Sequence, residues 1–305
     1  MNQYYYLCRE LLNPYFIMSI NIFSVLFRCC SFLYILVVSS LSCFGQDAMA
    51  LTRQMFEVVN KAKSFQYEFE SLERVDGKLK KEIMFFKINT YPLKAYIYET
   101  YPKEGLQMLY VSNKNGGKAK INPGGFPWIT MNLEPEGELM LANRHHSIYD
   151  AGFSYSISTI QYLMDKYGSQ STKLLTFNGE ETIHGIECYS ITFTDPNYRL
   201  LLYTSQDGDT PLRIAKKQHI NFYSIMENNS GLKPSSGIKA GSKLIIPNDY
   251  ASKMVMYINK STMYPVLLQI YDSKGLFEEF LFRYVKINLP FKDIDFSENN
   301  PAYKF

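Results

Sequence analysis

Cysteine, histidine and tryptophan are scarce in this chain, and no strong charge of either sign is present. Four of the five cysteines (Cys8, Cys29, Cys30, Cys43) fall in the first 43 residues, so Cys188 alone follows them. That leaves no intrachain disulfide downstream and removes the disulfide-stapled secreted scaffolds. Cys188 lies in the alternating run Gly185–Ile191 and reads as a buried structural thiol rather than a nucleophile. Lys plus Arg number 32 against 29 Asp plus Glu, a net charge of +3. This balance gives no broad positive field and argues against a nucleic-acid partner. Also missing are the HExxH and paired-cysteine metal spacings, the G-x-S-x-G elbow, the Walker loop and the dinucleotide fingerprint. No catalytic residue, metal ligand or cofactor is therefore assigned from motifs. Carboxylates distant in sequence converge only on folding, so an enzymatic reading is disfavoured but stays open.

What is abundant is aromatic: 25 Tyr and 21 Phe bring the aromatic share to 15%, a composition suited to pleated, half-buried strands. The 305 residues, 46% of them hydrophobic, suffice for two domains or one large one. From Met18 the chain reads as a lead carrying Arg28, an apolar run Cys29–Cys43 and an end at Phe44-Gly45-Gln46, the layout of a secretory signal peptide over residues 1–46. Arg9, Glu10 and Pro14 precede Met18, which makes Met18 a candidate true start. Two other readings stand beside cleavage. Ile20–Cys43 is long enough for a retained anchor if Arg28 is tolerated, and Cys43 is a weakly matched lipid-bearing cysteine after Ser40-Leu41-Ser42.

Beyond the leader, residues 47–63 carry a helical stripe at Leu51, Met55, Val58 and Ala62. Period two then takes over at Phe65, Tyr67 and Phe69, and Asp76-Gly77 marks a hairpin. Further strands are expected at 83–88, 94–99, 107–111, 174–177 and 186–194, with turns at 113–118 and 178–179. A helix is expected at 159–167, capped by Gly168. After residue 250, strands at 253–259, 266–271 and 276–285 follow, the last with Phe280, Phe282 and Tyr284 on one face. Sequential hairpins with few helices imply an antiparallel α+β fold.

Residues 203–247 differ in texture. A short strand opens at Tyr203. Thr210 is placed to cap a helix starting at Pro211, where a missing N–H costs nothing. Asn221 caps a second helix, Gly231 is placed to end it, and 243–246 closes as a strand. This strand-helix-helix-strand segment resembles a LysM module. The features are Tyr203-Thr204, Gly208-Asp209-Thr210, Ile214-Ala215-Lys216-Lys217, Asn229 with Gly231-Leu232, and Ile238 to Pro247. Pro211, Ser230 and His219 depart from residues common in the family. The resemblance implies binding of N-acetylglucosamine-containing glycan, such as peptidoglycan, in a groove made by Gly208, Asp209, Thr210 and Pro211 on one side. Asn229, Ser230, Gly231 and Leu232 would form the other side. Alternatively, the same residues only make turns and caps.

The flanks resemble an uncharacterised family of exported bacterial proteins (DUF1571), related at fold level to the lipoprotein carriers LolA and LolB. The matching stretches are Glu73-Arg74-Val75-Asp76-Gly77-Lys78, Leu109-Tyr110-Val111, Lys114 to Lys118, Pro123-Gly124-Gly125-Phe126, Asn143-Arg144-His145 with Ala151-Gly152, and Asn300-Pro301 with Tyr303 and Phe305. The resemblance implies a curved antiparallel half-barrel with covering helices, its first part over 47–200 and its C-terminal strands over 251–305. The LysM module is inserted over 201–250. It also implies an envelope or periplasmic location and an apolar concave face able to take a lipid or lipoprotein acyl chain, although large aromatics more often simply fill a core. The one dense polar cluster, Asn143, Arg144 and His145 with His146 and Asp150, is a candidate headgroup grip or a loop-fixing network. Two functions follow as expectations: a glycan- and lipid-binding envelope protein, or a cell-wall hydrolase targeted by its LysM module. A purely structural scaffold fits as well, and the sequence assigns no oligomeric state.

Overall fold

The structure is a computed structural model and describes residues 48–305, which form one compact unit. The leader readings over 1–46, including Met18, the 20–43 run and Cys43, lie outside the described residues. No helix among the described residues is long and apolar enough to cross a membrane.

Residues 48–61 form helix α1. Its buried face is Thr52, Met55, Phe56 and Val59, while Leu51 and Val58 are half-buried, so the apolar stripe is rotated from the expected one. Eleven strands follow the order β6-β5-β4-β3-β2-β1-β13-β12-β11-β8-β7 in one unclosed sheet. Its centre is β1 (Ser64–Val75), β2 (Lys78–Asn89), β3 (Lys94–Tyr101) and β13 (Gly275–Ile287). One arm adds β4 (Gln107–Val111), β5 (Ala119–Asn122) and β6 (Met131–Leu133). The other adds β12 (Pro265–Asp272), β11 (Lys253–Asn259), β8 (Ile186–Thr194) and β7 (Leu175–Ile183). All these pairings are antiparallel. The Asp76-Gly77 hairpin is present, with both residues at positive φ (53° and 73°), as a two-residue turn between right-twisted strands requires.

The inner face is an aromatic stack. Phe65, Tyr67 and Phe69 alternate along β1 and meet Phe86, Phe282 and Phe280 of the neighbouring strands, with Phe153 against them. Helix α2 (Ser154–Tyr167) covers this face with Ile157, Ile160, Leu163 and Met164 and ends at Gly168 (φ 52°). It begins five residues before the expected start, because its serine-rich first turn has weak helix propensity that packing overrides. The short helix α3 (Ser171–Leu174) leads into β7.

Three local expectations are corrected. Asn178-Gly179 is not a turn: Gly179 (φ 108°) makes a bulge inside β7, and the chain reverses at His184-Gly185. Tyr284 does not join Phe280 and Phe282 on the inner face. It sits at φ 54° where the β1–β13 register slips, and is 76% exposed; an extra residue in one strand flips side-chain parity. The helix expected to stop at Gly231 stops at Asn228, and Gly231 (φ 81°) shapes the loop beyond it.

Within 200–247 the chain builds β9 (Leu200–Thr204), helix α4 (Pro211–Gln218), helix α5 (Phe222–Asn228) and β10 (Lys243–Pro247). β9 and β10 form a separate two-stranded antiparallel sheet. Thr210 accepts from the Arg213 N–H and Pro211 occupies the first helical turn. The Asn221 side chain accepts from the Tyr223 N–H at 2.8 Å. Entry and exit run side by side: the Asp195 N–H donates to Ser252 O at 2.8 Å and the Asn248 N–H to Arg199 O at 3.0 Å.

Candidate functional site

The loop between β9 and α4 and the loop after α5 lie against one another. The Ile238 N–H donates to Asp209 O at 2.9 Å and the Leu212 N–H to Pro234 O at 3.1 Å. Within them, the eight residues expected to face a glycan divide by role. Asp209 is buried, its Oδ2 accepting from Tyr203 Oη (2.8 Å) and the Gln206 N–H (2.7 Å). Thr210 is spent on the cap and Pro211 is buried. Asn229 imitates a strand residue: its Oδ1 accepts from the Ile245 N–H (2.9 Å) and its Nδ2 donates to Ile245 O (2.7 Å) and Ile225 O (2.8 Å). These four therefore fix the loops. Gly208, Ser230 and Gly231 are exposed and Leu232 is half-buried, so the open surface is backbone and small side chains. Gly208 is at φ 73°, and its carbonyl accepts from Arg213 Nη1 at 2.7 Å.

The opposite face of this segment is joined to the large sheet. Arg74 on β1, buried, donates to Glu227 Oε1 (2.8 Å) and Oε2 (3.0 Å) on α5, to Leu276 O (3.0 Å), and to Asp272. Asn221 Nδ2 donates to Glu278 Oε1 at 3.0 Å, and the Tyr223 ring stacks on His145 with centroids 4.4 Å apart. His219, at φ 55° after α4, stacks on Tyr162 of α2 at 4.0 Å. Lys216 and Lys233 pair with Glu136 and Glu138 at 2.6 and 3.0 Å.

Glu278 is the hub of this junction. It is fully buried and receives His145 Nδ1 (2.9 Å), His146 Nε2 (3.0 Å), Asn221 Nδ2 (3.0 Å) and Tyr250 Oη (2.9 Å). Burial alone would raise its carboxyl; the adjacent histidines outweigh that and lower it to about 2. Burial likewise opposes charge on His146, and Glu278 overrides it, raising the imidazole to about 9. Adjacent residues on a strand would point to opposite faces, and His145 and His146 do not. They lie instead in a loop and converge on one carboxylate oxygen.

The polar cluster is thus divided among three environments. Asn143 (φ 61°) sits at the surface and accepts from Lys80 Nζ at 2.9 Å. Arg144 is held between Glu99 (2.6 Å) and Glu82 (3.3 Å). His145 is buried, its Nε2 facing Arg74 O at 3.0 Å. Beside them, the inner sheet face holds a cavity of about 90 Å³. Tyr67, Phe69, Met84, Phe86, Met108 and Phe280 line its apolar part, and Glu73, Glu82, Arg144, His146 and Asp150 its rim. Burial pushes the Glu82 carboxyl up to about 7, against the pull of Arg144. The rest of the concave face is filled by the aromatic stack.

Four glutamates, two of them on this rim, are the residues that sequence reasoning missed, although parity marks them. Glu73 continues the inward row of Phe65, Tyr67 and Phe69; Glu82 that of Met84 and Phe86; Glu99 that of Ile97; Glu278 that of Phe280 and Phe282. Register places all four together: Glu73 opposes Glu278, Ser71 opposes Glu82, and Met84 opposes Glu99.

Comparison with known proteins follows this division. The profile of the LysM domain matches residues 203–247. That stretch is similar to the LysM domain family. The profile described as "Protein of unknown function (DUF1571)" matches residues 62–203. No curated protein matches the chain. Among solved structures, the chain is similar to lipoprotein LppX of Mycobacterium tuberculosis (16% identity, TM-score 0.40, 81% of this chain and 98% of that one). It is also similar to a DUF1329 family protein of Desulfovibrio piger (12%, 0.33, 84% and 98%). LprF of Mycobacterium bovis is a third (10%, 0.39, 81% and 95%).

Proposed function

We propose that this is an exported cell-envelope binding protein whose LysM domain holds N-acetylglucosamine-containing glycan while the large sheet holds an apolar group of a lipid or lipoprotein. The LysM match over 203–247, on a β9-α4-α5-β10 body with Gly208, Ser230 and Gly231 exposed, carries the glycan half. The aromatic-lined cavity carries the other half, and at about 90 Å³ it suits the end of a chain rather than a whole acyl tail. The apolar run at 29–43 of the sequence supports export.

Incubation of the protein with purified peptidoglycan sacculi, followed by centrifugation, tests the glycan half. The wild type is expected in the pellet. Gly208→Val, which forces a branched side chain into positive φ, and Asn229→Ala, which unties the loop from β10, are expected to weaken pelleting about tenfold, equivalent to ~1.4 kcal/mol. Wild-type protein that stays in the supernatant overturns this half. Release of soluble muropeptides would identify a hydrolase instead.

A further inference from the structure

The apolar cavity ends in a row of carboxylates, and we infer that it selects an amphipathic ligand whose polar end is an alkylammonium-type cation over one ending in carboxylate or phosphate. The inference rests on the apolar-ligand reading above and names the headgroup that reading leaves open.

Four adjacent strands each place one glutamate at the same end of the inner face: Glu99 on β3, Glu82 on β2, Glu73 on β1 and Glu278 on β13. Like charges directly across a strand pair repel, and the loop 143–150 supplies two cations against them. Both are committed. Arg144 lies between Glu99 and Glu82, and Glu99 is buried to 1% exposure, so an anion that drew Arg144 away would strand a buried charge. His146 Nε2 is taken by Glu278, and its Nδ1 faces Asp150 at 3.9 Å.

Three carboxyl groups (Glu73, Glu82, Asp150) line the cavity beside Arg144 and His146, and these two cations are already paired with the buried Glu99 and Glu278. Glu73 is the open member. Its Oε2 accepts from the His145 N–H at 2.8 Å, and among the described residues nothing donates to its Oε1. A cationic head at Glu73 gains a partner without dismantling a pair; an anionic head finds Arg144 Nε and Nη2 already given to Glu82 and Glu99, and only its Nη1, against Met108 Sδ at 3.6 Å, without an oxygen acceptor. The position of Glu82 near 7 adds further negative charge to the rim above neutrality.

The cavity is about 90 Å³, room for about three water-sized groups, so short probes suit it: butylamine, 1-butanol and butyrate. Met84 and Met108 line the cavity, and 13C-methyl methionine NMR of the whole protein at about pH 8, where the amine is protonated and carboxyls are ionised, reads occupancy directly. Butylamine is expected to shift both methyls with about tenfold higher affinity than butyrate, with butanol between; Glu73→Gln should shrink the amine's advantage about threefold. Butyrate binding as well as or better than butylamine would overturn the headgroup inference while leaving the apolar-ligand reading intact. If none of the three probes moves either methyl, that reading falls and the inference with it.

Discussion

The two faces of the LysM segment are made from different materials. Toward solvent, the loops at 208–211 and 229–232 offer Gly208, Ser230 and Gly231, and the polar side chains nearby, Asp209 and Asn229, are turned inward to hold the loops' shape. Toward the large sheet, Asn221, Tyr223 and Glu227 are buried or half-buried and spent on partners donated by the host. A module that only needed tethering would not need this second face. The contrast teaches that the open side is shaped by backbone and small side chains, while buried charge on the other side makes the segment part of the host core.

Substitutions on the joined face should therefore cost much more than substitutions at its exposed margin. Glu278→Ala leaves two histidines, an asparagine and a tyrosine without their acceptor, and is expected to lose at least about 3–5 kcal/mol. Denaturant unfolding followed separately in the two regions should show both destabilised together. Arg74→Ala removes the cation paired with the buried Asp272 and leaves Glu227 with Lys274 alone, and is expected to cost a similar ~3–5 kcal/mol. Lys216→Ala, whose bridge to Glu136 is exposed, should cost about 0–1 kcal/mol. Equal losses for Arg74→Ala and Lys216→Ala would erase the distinction between core and margin.

The hub also predicts a pH profile. The Glu278 carboxyl is lowered in the fold to about 2, so its contribution is present above the unfolded value near 4.5 and is lost as pH falls toward 2. The His146 imidazole is raised to about 9, so its contribution is full below about 6.5 and disappears as pH rises through 9. By linkage the Glu278–His146 pair contributes fully between about pH 5 and 6.5 and less on each side, while Glu82, raised to about 7, removes stability as pH climbs from about 4.5 to 7. His146→Gln should flatten the alkaline limb between pH 6.5 and 9, and thermal melts across that range measure it.

The smallest effect concerns His219, where the left-handed backbone (φ 55°) favours glycine but the ring stacks on Tyr162. His219→Gly is expected to change stability by less than about 1 kcal/mol, because relief of positive φ and loss of the stack oppose each other. In a Tyr162→Ala background only the relief remains, and the same change should stabilise.

Much of this architecture was legible in the chain. Period-two runs located β1, β4, β8 and β11, and Asp76-Gly77 fixed the first hairpin, because side-chain parity and positive-φ turns are local properties. Misreadings arose where tertiary context decides. Gly179 and Tyr284 look like a turn and a core aromatic, but each marks a bulge set by the partner strand. The short strands β5 and β6 at one end of the sheet carry too few residues to show a period. The glutamate row was present in parity yet hidden, since one glutamate near the end of one strand does not reveal which residues of other strands it meets. Only the register reveals that four adjacent strands end alike. The loops at 208–211 and 229–232 were located by resemblance, but the division between loop-building Asp209 and Asn229 and exposed Gly208 and Ser230 depends on tertiary contacts.

Whether recognition at the open face is felt in the large sheet is decided most directly by amide hydrogen exchange with and without a tetrasaccharide of N-acetylglucosamine. The account predicts slower exchange in the loops at 208–212 and 229–238 together with slower exchange at Ile191–Phe193 and Val255–Tyr257 of β8 and β11. Protection confined to residues 203–247, with β8 and β11 unchanged, would contradict it.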